Sequence, residues 1–408
     1  MSADLLTSQS REHPIPASWP ITAPPRSRWD VVVVGAGPAG ALAARQLARL
    51  GCSVLLVDKA TFPRWKVCGC CVNQRALGTL EAVGLGRLPA ALGAALLHSF
   101  HLAGWKRQAV MPLPGGVSLS REVFDAALVR AAVEAGAEFL PNTQAMLGGS
   151  TAQLRIVQLR HGDQELLVEA TLVLAANGLG GKLLAGEEDF EVRLAPSSRI
   201  GAGTIAAEAP AFYAPGTIYM ACGEQGYVGL VRLEDGRLDI AAAFDADGVR
   251  RAGGLGEVAA AILDNAGFPA IKWLTELSWR GTPPLTRRAS RLGGHRAFVL
   301  GDAAGYIEPF TGEGMAWALA SGAGVAPFAR RAIASWDPDL VMRWSVHYRG
   351  SVVRRQRVCR TVARCLRRPR LTRTLIATLD WLPALARPLI RYLNASAPMC
   401  LVQKGISP

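Results

Sequence analysis

The chain has 408 residues, half of them hydrophobic, and a formal net charge of +13. It is long enough to bury a large core and hold two substructures, and it has no run of eighteen apolar residues, which excludes a spanning helix. The charge is local: residues 340–379 hold eleven Arg and no acid, the rest carries about +2, and no aromatic–basic interleaving accompanies it, so nucleic-acid binding is excluded.

In chain order, residues 1–28 are polar and Pro-rich and read as a disordered leader without a signal-peptide core. Val31-Val32-Val33-Val34 is the pattern of a parallel strand buried on both faces. It runs into Gly35-Ala36-Gly37-Pro38-Ala39-Gly40, then a helix over 41–50 and a second strand over 53–57 closed by Asp58. In a turn of this pattern Gly35 bends the chain, Gly37 lets backbone touch a pyrophosphate, and Gly40 lets helix pack on strand. Asp58, 18 residues after Gly40, stands where a carboxylate takes ribose hydroxyls. An acid there argues against a 2′-phosphate, which leaves FAD or NAD.

Further on, the spacing predicts a helix over 73–83, a helix over 122–135 capped by Ser120, and a short parallel strand over 138–140. A hairpin over 154–159 and 166–168 turns at Gly162-Asp163, and a separate buried strand over 172–175 ends in Ala176-Asn177-Gly178. The period then shifts toward two: 200–206, 216–220, 226–233 and 237–244 read as an antiparallel sheet. The apolar run 297–300 leads into GDAAGYIEPFTGEGM, residues 301–315, and a small-residue helix over 314–323. Glycines and alanines in that run let backbone approach a flat ligand, and Asp302 is placed to accept from ligand hydroxyls. Beyond it, Arg354, Arg357, Arg360, Arg364, Arg367 and Arg368 fall largely on one side of a helix, with Val358, Val362 and Leu366 on the other. The segment 371–393 is apolar, carries Trp381 and Tyr392, and is broken by Pro383 and Pro388. Two readings stand: a surface for anionic membrane or the mouth of a hydrophobic-substrate site, or a solvated face capping the domain.

The expected fold is α/β: a Rossmann-like FAD-binding domain interrupted by an antiparallel substrate sheet, with a C-terminal helical segment. Residues 29–95, 117–185 and 281–330 form the first, 96–116 and 186–280 the second, and 331–408 the basic helices. The eight Cys are irregularly scattered, which suits a reduced, cytoplasmic setting, with peripheral membrane attachment left open. Cys68 and Cys71 make a nominal C-x-x-C, but no second ligand pair stands at zinc spacing, and no metal is expected.

The order GAGPAG, PRWKVCG, SREVFDAAL and GDAAGYIEPFTGEGM resembles the geranylgeranyl-reductase branch of FAD-dependent oxidoreductases, which have the p-hydroxybenzoate-hydroxylase fold. The likeness runs from about Trp29 to about Gly324. It implies that Gly35, Gly37 and Gly40, with Pro38 and Ala39, hold the FAD pyrophosphate, and that Asp58, followed by Lys59, holds the adenosine ribose. Arg121 matches the arginine at the FAD phosphate or ribityl region. Gly301 and Asp302 would meet the ribityl hydroxyls, and the backbone from Pro309 through Gly312 and Gly314 to Met315 would line the isoalloxazine. Cys68 and Gly69 would sit on its substrate side, making Cys68, Gly69, Pro309, Gly312 and Gly314 the catalytic set.

The sequence departs from the hydroxylase pattern at Asn177-Gly178, where an Asp-Gly is usual, and this puts direct NADPH docking by that route in doubt. The paired-tryptophan motif of flavin halogenases is absent. The implied activity is hydride reduction of a C=C bond in an isoprenoid or polyketide, with NAD(P)H or a reduced carrier as external donor. The alternatives are hydroxylation of a hydrophobic or aromatic substrate and a non-catalytic FAD-bound electron carrier. Trp279, Tyr227, Phe244 and Phe310 are candidate linings of an apolar channel.

Overall fold

The structure, a computed structural model, describes residues 14–187, 190–308, 310 and 312–395. Five parallel strands carry the nucleotide-binding half: Arg28–Val34, Val54–Val57, Glu138–Leu140, Gln164–Ala175 and Ala297–Val299. Numbered along the chain, they lie side by side in the order 3-2-1-4-5. Their Val- and Leu-rich stretches are buried on both faces, under the helices Pro38–Arg49, Arg121–Glu134 and Gly314–Ala334. The strand order reverses between the first and fourth strands, and a crevice opens there beyond their carboxyl ends.

The second sheet has seven strands in the order Arg280–Pro284, Ile200–Ala206, Leu238–Phe244, Gly226–Arg232, Thr217–Gly223, Ser99–Gly104 and Arg107–Pro112. All pairs are antiparallel except Thr217–Gly223 with Ser99–Gly104. Strand alternation divides its residues. Leu238, Ile240, Ala242 and Phe244 face the helix Leu255–Ala266, while Met220, Tyr227 and Ala243 face the other way. That second face is roofed by Leu366, Ile376 and Leu379 from the C-terminal helices Arg354–Leu366 and Pro369–Trp381.

The structure differs from the sequence expectations in four places. Residues 14–27 are packed, not a disordered leader: Ile15, Trp19 and Ile21 are buried, and Trp19 stacks on Trp29 at 6.4 Å. Residues 1–13 lie outside the described residues. The hairpin's second strand and the buried strand after it are one element, Gln164–Ala175, because a single extended segment serves two partners, Arg155–His161 at one end and Arg28–Val34 at the other. Residues 280–284 join the antiparallel sheet by pairing with Ile200–Ala206. The helix begun at Gly314 continues through Pro327 to Ala334, held by the Pro38–Arg49 helix, against which Gly322 abuts Ala39 so closely that a Cβ would lie 2.3 Å from its carbonyl oxygen.

Candidate active site

The glycine turn sits at the reversal of strand order. Gly35 has φ of 105°, and a Cβ there would lie 2.4 Å from the Ala176 carbonyl oxygen. At Gly40 a Cβ would meet the Gly35 oxygen at 1.8 Å, so helix and turn touch only because both positions lack side chains. Gly37 is different. It faces open space, and the nearest atoms to its missing Cβ are Arg64 Nη2 at 3.7 Å and Arg121 Nη2 at 3.9 Å. It also precedes the first turn of the Pro38–Arg49 helix, whose amides and dipole favour an anion.

The two guanidinium groups share one buried carboxylate. Arg121 forks onto Asp125 with two bonds of 2.7 Å, and Arg64 Nη2 lies 3.3 Å from Asp125 Oδ2. Arg121 is therefore no surface arginine in a helix's first turn; it is buried, and it lines the crevice. Arg64 Nη2 also lies 3.9 Å from Asp58 Oδ2, and both guanidinium groups reach the open space at Gly37, where their N–H groups suit a pyrophosphate. Asp58 accepts from the Ala36 amide at 2.7 Å and the Ala60 amide at 2.9 Å, and each carboxylate oxygen keeps a further lone pair for a ribose hydroxyl. Lys59 is exposed at the same rim.

The strand Ala297–Val299 delivers Gly301 and Asp302 to the other end of the crevice. Gly301 has φ of 57°, and a Cβ there would lie 2.9 Å from the Ala39 side chain. Asp302 is 4.0 Å from Lys66 Nζ, whose pKa is lowered first by burial and next by Arg121. Gly312, with φ of 68°, approaches Cys71, and Gly314 abuts the Tyr306 ring. Met315 is buried, and with Gly312 and Gly314 it lines the same space. Pro309 lies outside the described residues. Cys68 and Gly69 line the same cavity.

Both flanks of this loop are pinned by buried carboxylates. Glu308 accepts from Arg367 at 2.7 Å and lies 3.5 Å from Arg199; Glu313 accepts from Trp317 Nε1 at 3.2 Å and lies 3.6 Å from Arg355. Part of the arginine-rich segment is thus neither a membrane face nor a solvated cap. Arg355 and Arg367 latch the C-terminal helices onto the loop.

From the crevice one continuous cavity of about 1290 Å³ runs between the second sheet and the C-terminal helices. Phe100, Leu102, Met220, Tyr227, Leu285, Phe310, Ile376 and Leu379 make that arm apolar. Of the four expected linings, Tyr227 and Phe310 are there, edge to face at 5.1 Å. Phe244 and Trp279 are not; they pack together on the sheet face covered by the helix Leu255–Ala266, because Phe244 falls on the even register of its strand. Sequence reasoning missed Arg64 and Lys66 as site residues, although the Arg-x-Lys spacing was visible.

A family model described as an FAD binding domain matches residues 28–221. The chain is an FAD-dependent oxidoreductase, and it resembles the geranylgeranyl reductases. This oxidoreductase is 28% identical over 317 residues to menaquinone reductase of Mycobacterium tuberculosis, covering 72% of this chain and 74% of that one. To digeranylgeranylglycerophospholipid reductase of Methanosarcina acetivorans it is 28% identical over 331 residues, covering 76% and 77%. Among solved structures it is similar in fold to a flavin-dependent brominase triple mutant, with TM-score 0.73, 18% identity and coverage of 90% and 94%. It is similarly close to p-nitrophenol 4-monooxygenase of Pseudomonas putida, with TM-score 0.73, 16% identity and coverage of 91% and 100%. The oxidoreductase thus has the fold of the p-hydroxybenzoate-hydroxylase group, and the residues around Gly37 suit its FAD.

Proposed function

We propose that this oxidoreductase reduces C=C bonds in the polyprenyl chain of a lipid drawn from an anionic membrane surface. The observation that carries the reading is the single cavity joining the Gly37 cradle to an apolar arm that opens among exposed leucines. A merely FAD-bound carrier has no use for such an arm. The chemistry that reduced FAD supplies is hydride delivery to carbon. The chain's part is to lay an apolar substrate along Phe100, Met220 and Leu285 and to exclude water with the roof of Leu366, Ile376 and Leu379. Burial holds the Tyr227 phenol protonated, and its Oη has no hydrogen-bond partner, so it can hold a proton at the cavity wall. The names of the reductases it resembles, for menaquinone and for digeranylgeranylglycerophospholipid, both denote prenyl-bearing lipids, which supports the substrate class.

Hydroxylation of a hydrophobic substrate is the competing reading, and oxygen separates the two. With pre-reduced flavin under strict anaerobiosis, a polyprenyl substrate is expected to gain two hydrogens per bond by mass spectrometry. Turnover only in air, with labelled oxygen in the product, would replace reduction by hydroxylation.

The membrane side rests on the outer face of the last helices, Pro369–Trp381 and Arg387–Asn394. Trp381 is 82% exposed, beside exposed Leu371, Leu375, Leu382, Leu385 and Leu389. Exposed Arg368, Arg370, Arg373, Arg387 and Arg391 surround them, and Leu375 and Leu389 also line the cavity. Apolar side chains ringed by cations match an anionic lipid interface. Among the described residues no helix is long and apolar enough to cross a membrane. The full-length protein is expected to sediment with phosphatidylglycerol vesicles at low salt and much less with phosphatidylcholine. A Trp381→Asp, Leu385→Asp double variant should lose most of that binding; equal binding would remove the membrane from the proposal.

A further inference from the structure

The loop that follows Asp302 belongs to a small sheet whose strands are Val192–Leu194, Arg287–Ala289 and Gly305–Tyr306, side by side in that order. Arg193 stands directly opposite Arg288 across one antiparallel pair, and Arg288 stands opposite Gly305 across the next. Residues paired in this way share a face, so two guanidinium groups emerge side by side, an arrangement that like charges oppose. The helix Arg354–Leu366 adjoins them, because its Gln356 Nε2 donates to the Gly305 carbonyl at 3.2 Å. Arg360 is one turn on from Gln356, and Arg357, Arg360 and Arg364 follow one another at helical spacing along one stripe. Arg360 is half-buried and the other four arginines are exposed. Arg193 lies 3.5 Å from Glu191; among the described residues Arg288, Arg357, Arg360 and Arg364 make no ion pair. Burial lowers the Arg360 pKa first, and Arg364, Arg288 and Arg357 lower it further, as cations gathered without an anion do. Nothing in the proposed reduction uses this cluster.

We propose that the five-arginine face docks an acidic one-electron carrier protein that supplies the flavin with electrons. Its place in the fold supports this. Arg287 and Arg288 point to opposite faces of their strand. Arg287 donates to the Leu179 carbonyl and pairs across the strand with Tyr306, and both Leu179 and Tyr306 line the cavity with Asp302. The strand Arg287–Ala289 thus has the cavity on one face and the arginines on the other. A lipid surface is the poorer match, since Arg193, Arg288 and Gly305 offer no apolar side chain to insert, unlike the leucines around Trp381. None of the five arginines lines the cavity, so a nucleotide phosphate bound to them would sit outside the space its ring must enter. A protein surface fits better. The stripe from Arg357 to Arg364 is about 10 Å long, and the two strands beside it, ~4.8 Å apart, broaden it to the scale of several partner carboxylates. Electron-transfer encounters bury little area and take their rate and orientation from such complementary charge.

Each encounter oxidises one carrier by one electron. Two encounters, with two protons from water, supply the two electrons and two hydrogens by which the bound flavin is reduced. The inference does not depend on where those electrons then go, so its test contains no lipid substrate, and failure of the polyprenyl reading would leave it standing.

The test uses full-length, FAD-loaded protein with a plant-type ferredoxin as the acidic probe. Mixed anaerobically with reduced ferredoxin, the flavin should lose its absorbance at a rate that falls steeply as salt is raised. An Arg288→Glu, Arg364→Glu double variant should lower the second-order rate constant at low salt by at least about tenfold. Its affinity for oxidised ferredoxin, measured by calorimetry, should weaken to match. Dithionite needs no docking site and should reduce parent and variant alike, and both should sediment equally with phosphatidylglycerol vesicles. Equal ferredoxin rates and affinities in parent and variant overturn the proposal. So does a parent that dithionite reduces and ferredoxin does not. Loss of vesicle binding with ferredoxin transfer intact would make the face a lipid contact instead, and loss of NADPH-driven reduction alone would make it a nucleotide site.

Discussion

Gly37→Val is expected to give a folded protein that has lost its flavin. The position has φ of −71° and ψ of −179°, which a β-branched residue adopts without strain, and the missing Cβ points into open space between Arg64 and Arg121. The isopropyl group would occupy the volume that a pyrophosphate needs while leaving every strand and helix contact in place. FAD affinity should fall by at least about 100-fold, or ~2.7 kcal/mol, measured by flavin absorbance and titration of apoprotein. Gly40→Ala should behave in the opposite way. Its new methyl would meet the Gly35 carbonyl oxygen at 1.8 Å, and backbone cannot give way as a side chain can. The cost of forcing helix from turn is at least about 1–3 kcal/mol, seen as a lowered denaturation midpoint. Full flavin occupancy in purified Gly37→Val would mean that the cradle has been assigned to the wrong turn.

The contrast between these glycines shows what the chain reveals before it folds. The strand–turn–helix of residues 31–50 is local: β-branched residues, two obligatory glycines and a helix-starting Pro38 all act within one turn of chain. So its elements, and the carboxylate at Asp58, can be read from sequence. The same holds for Ser120, which accepts from the Val123 amide at 3.3 Å and starts the helix that carries Arg121. What could not be read is which distant charges meet. Arg199 and Arg367 lie 168 residues apart in sequence and converge on Glu308 only because the second sheet and the C-terminal helices close over the loop that carries it. An arginine-rich helix looks alike in sequence whether its charges face lipid, water or buried glutamates. Here one helix divides its charges: Arg355 and Arg367 reach buried glutamates, while Arg354, Arg357 and Arg364 are exposed.

The inward arginines yield the other large effect. Glu308→Ala is expected to destabilise the protein by about 3–5 kcal/mol, the range for removing one partner of a buried ion pair. Arg199 is 1% exposed and would keep Asp245, at 3.3 Å, as its remaining carboxylate among the described residues, while Arg367 would lose its 2.7 Å bond. Because Arg367 stands at the end of the helix Arg354–Leu366, the loss should also loosen the roof over the apolar arm. Trypsin should then cut the variant within residues 364–373 faster than it cuts the parent, and urea unfolding should show the lowered stability. Arg373→Ala is the control: its side chain is exposed, and substitution there should shift stability by no more than about 0.5 kcal/mol. If the two variants unfold alike, Glu308 is not a latch, and the C-terminal helices are held by their apolar faces alone. If they differ as expected, the cluster of positive charge that dominates this chain is divided, with Arg355 and Arg367 holding the buried glutamates of the 308–313 loop and Arg373 free of that role.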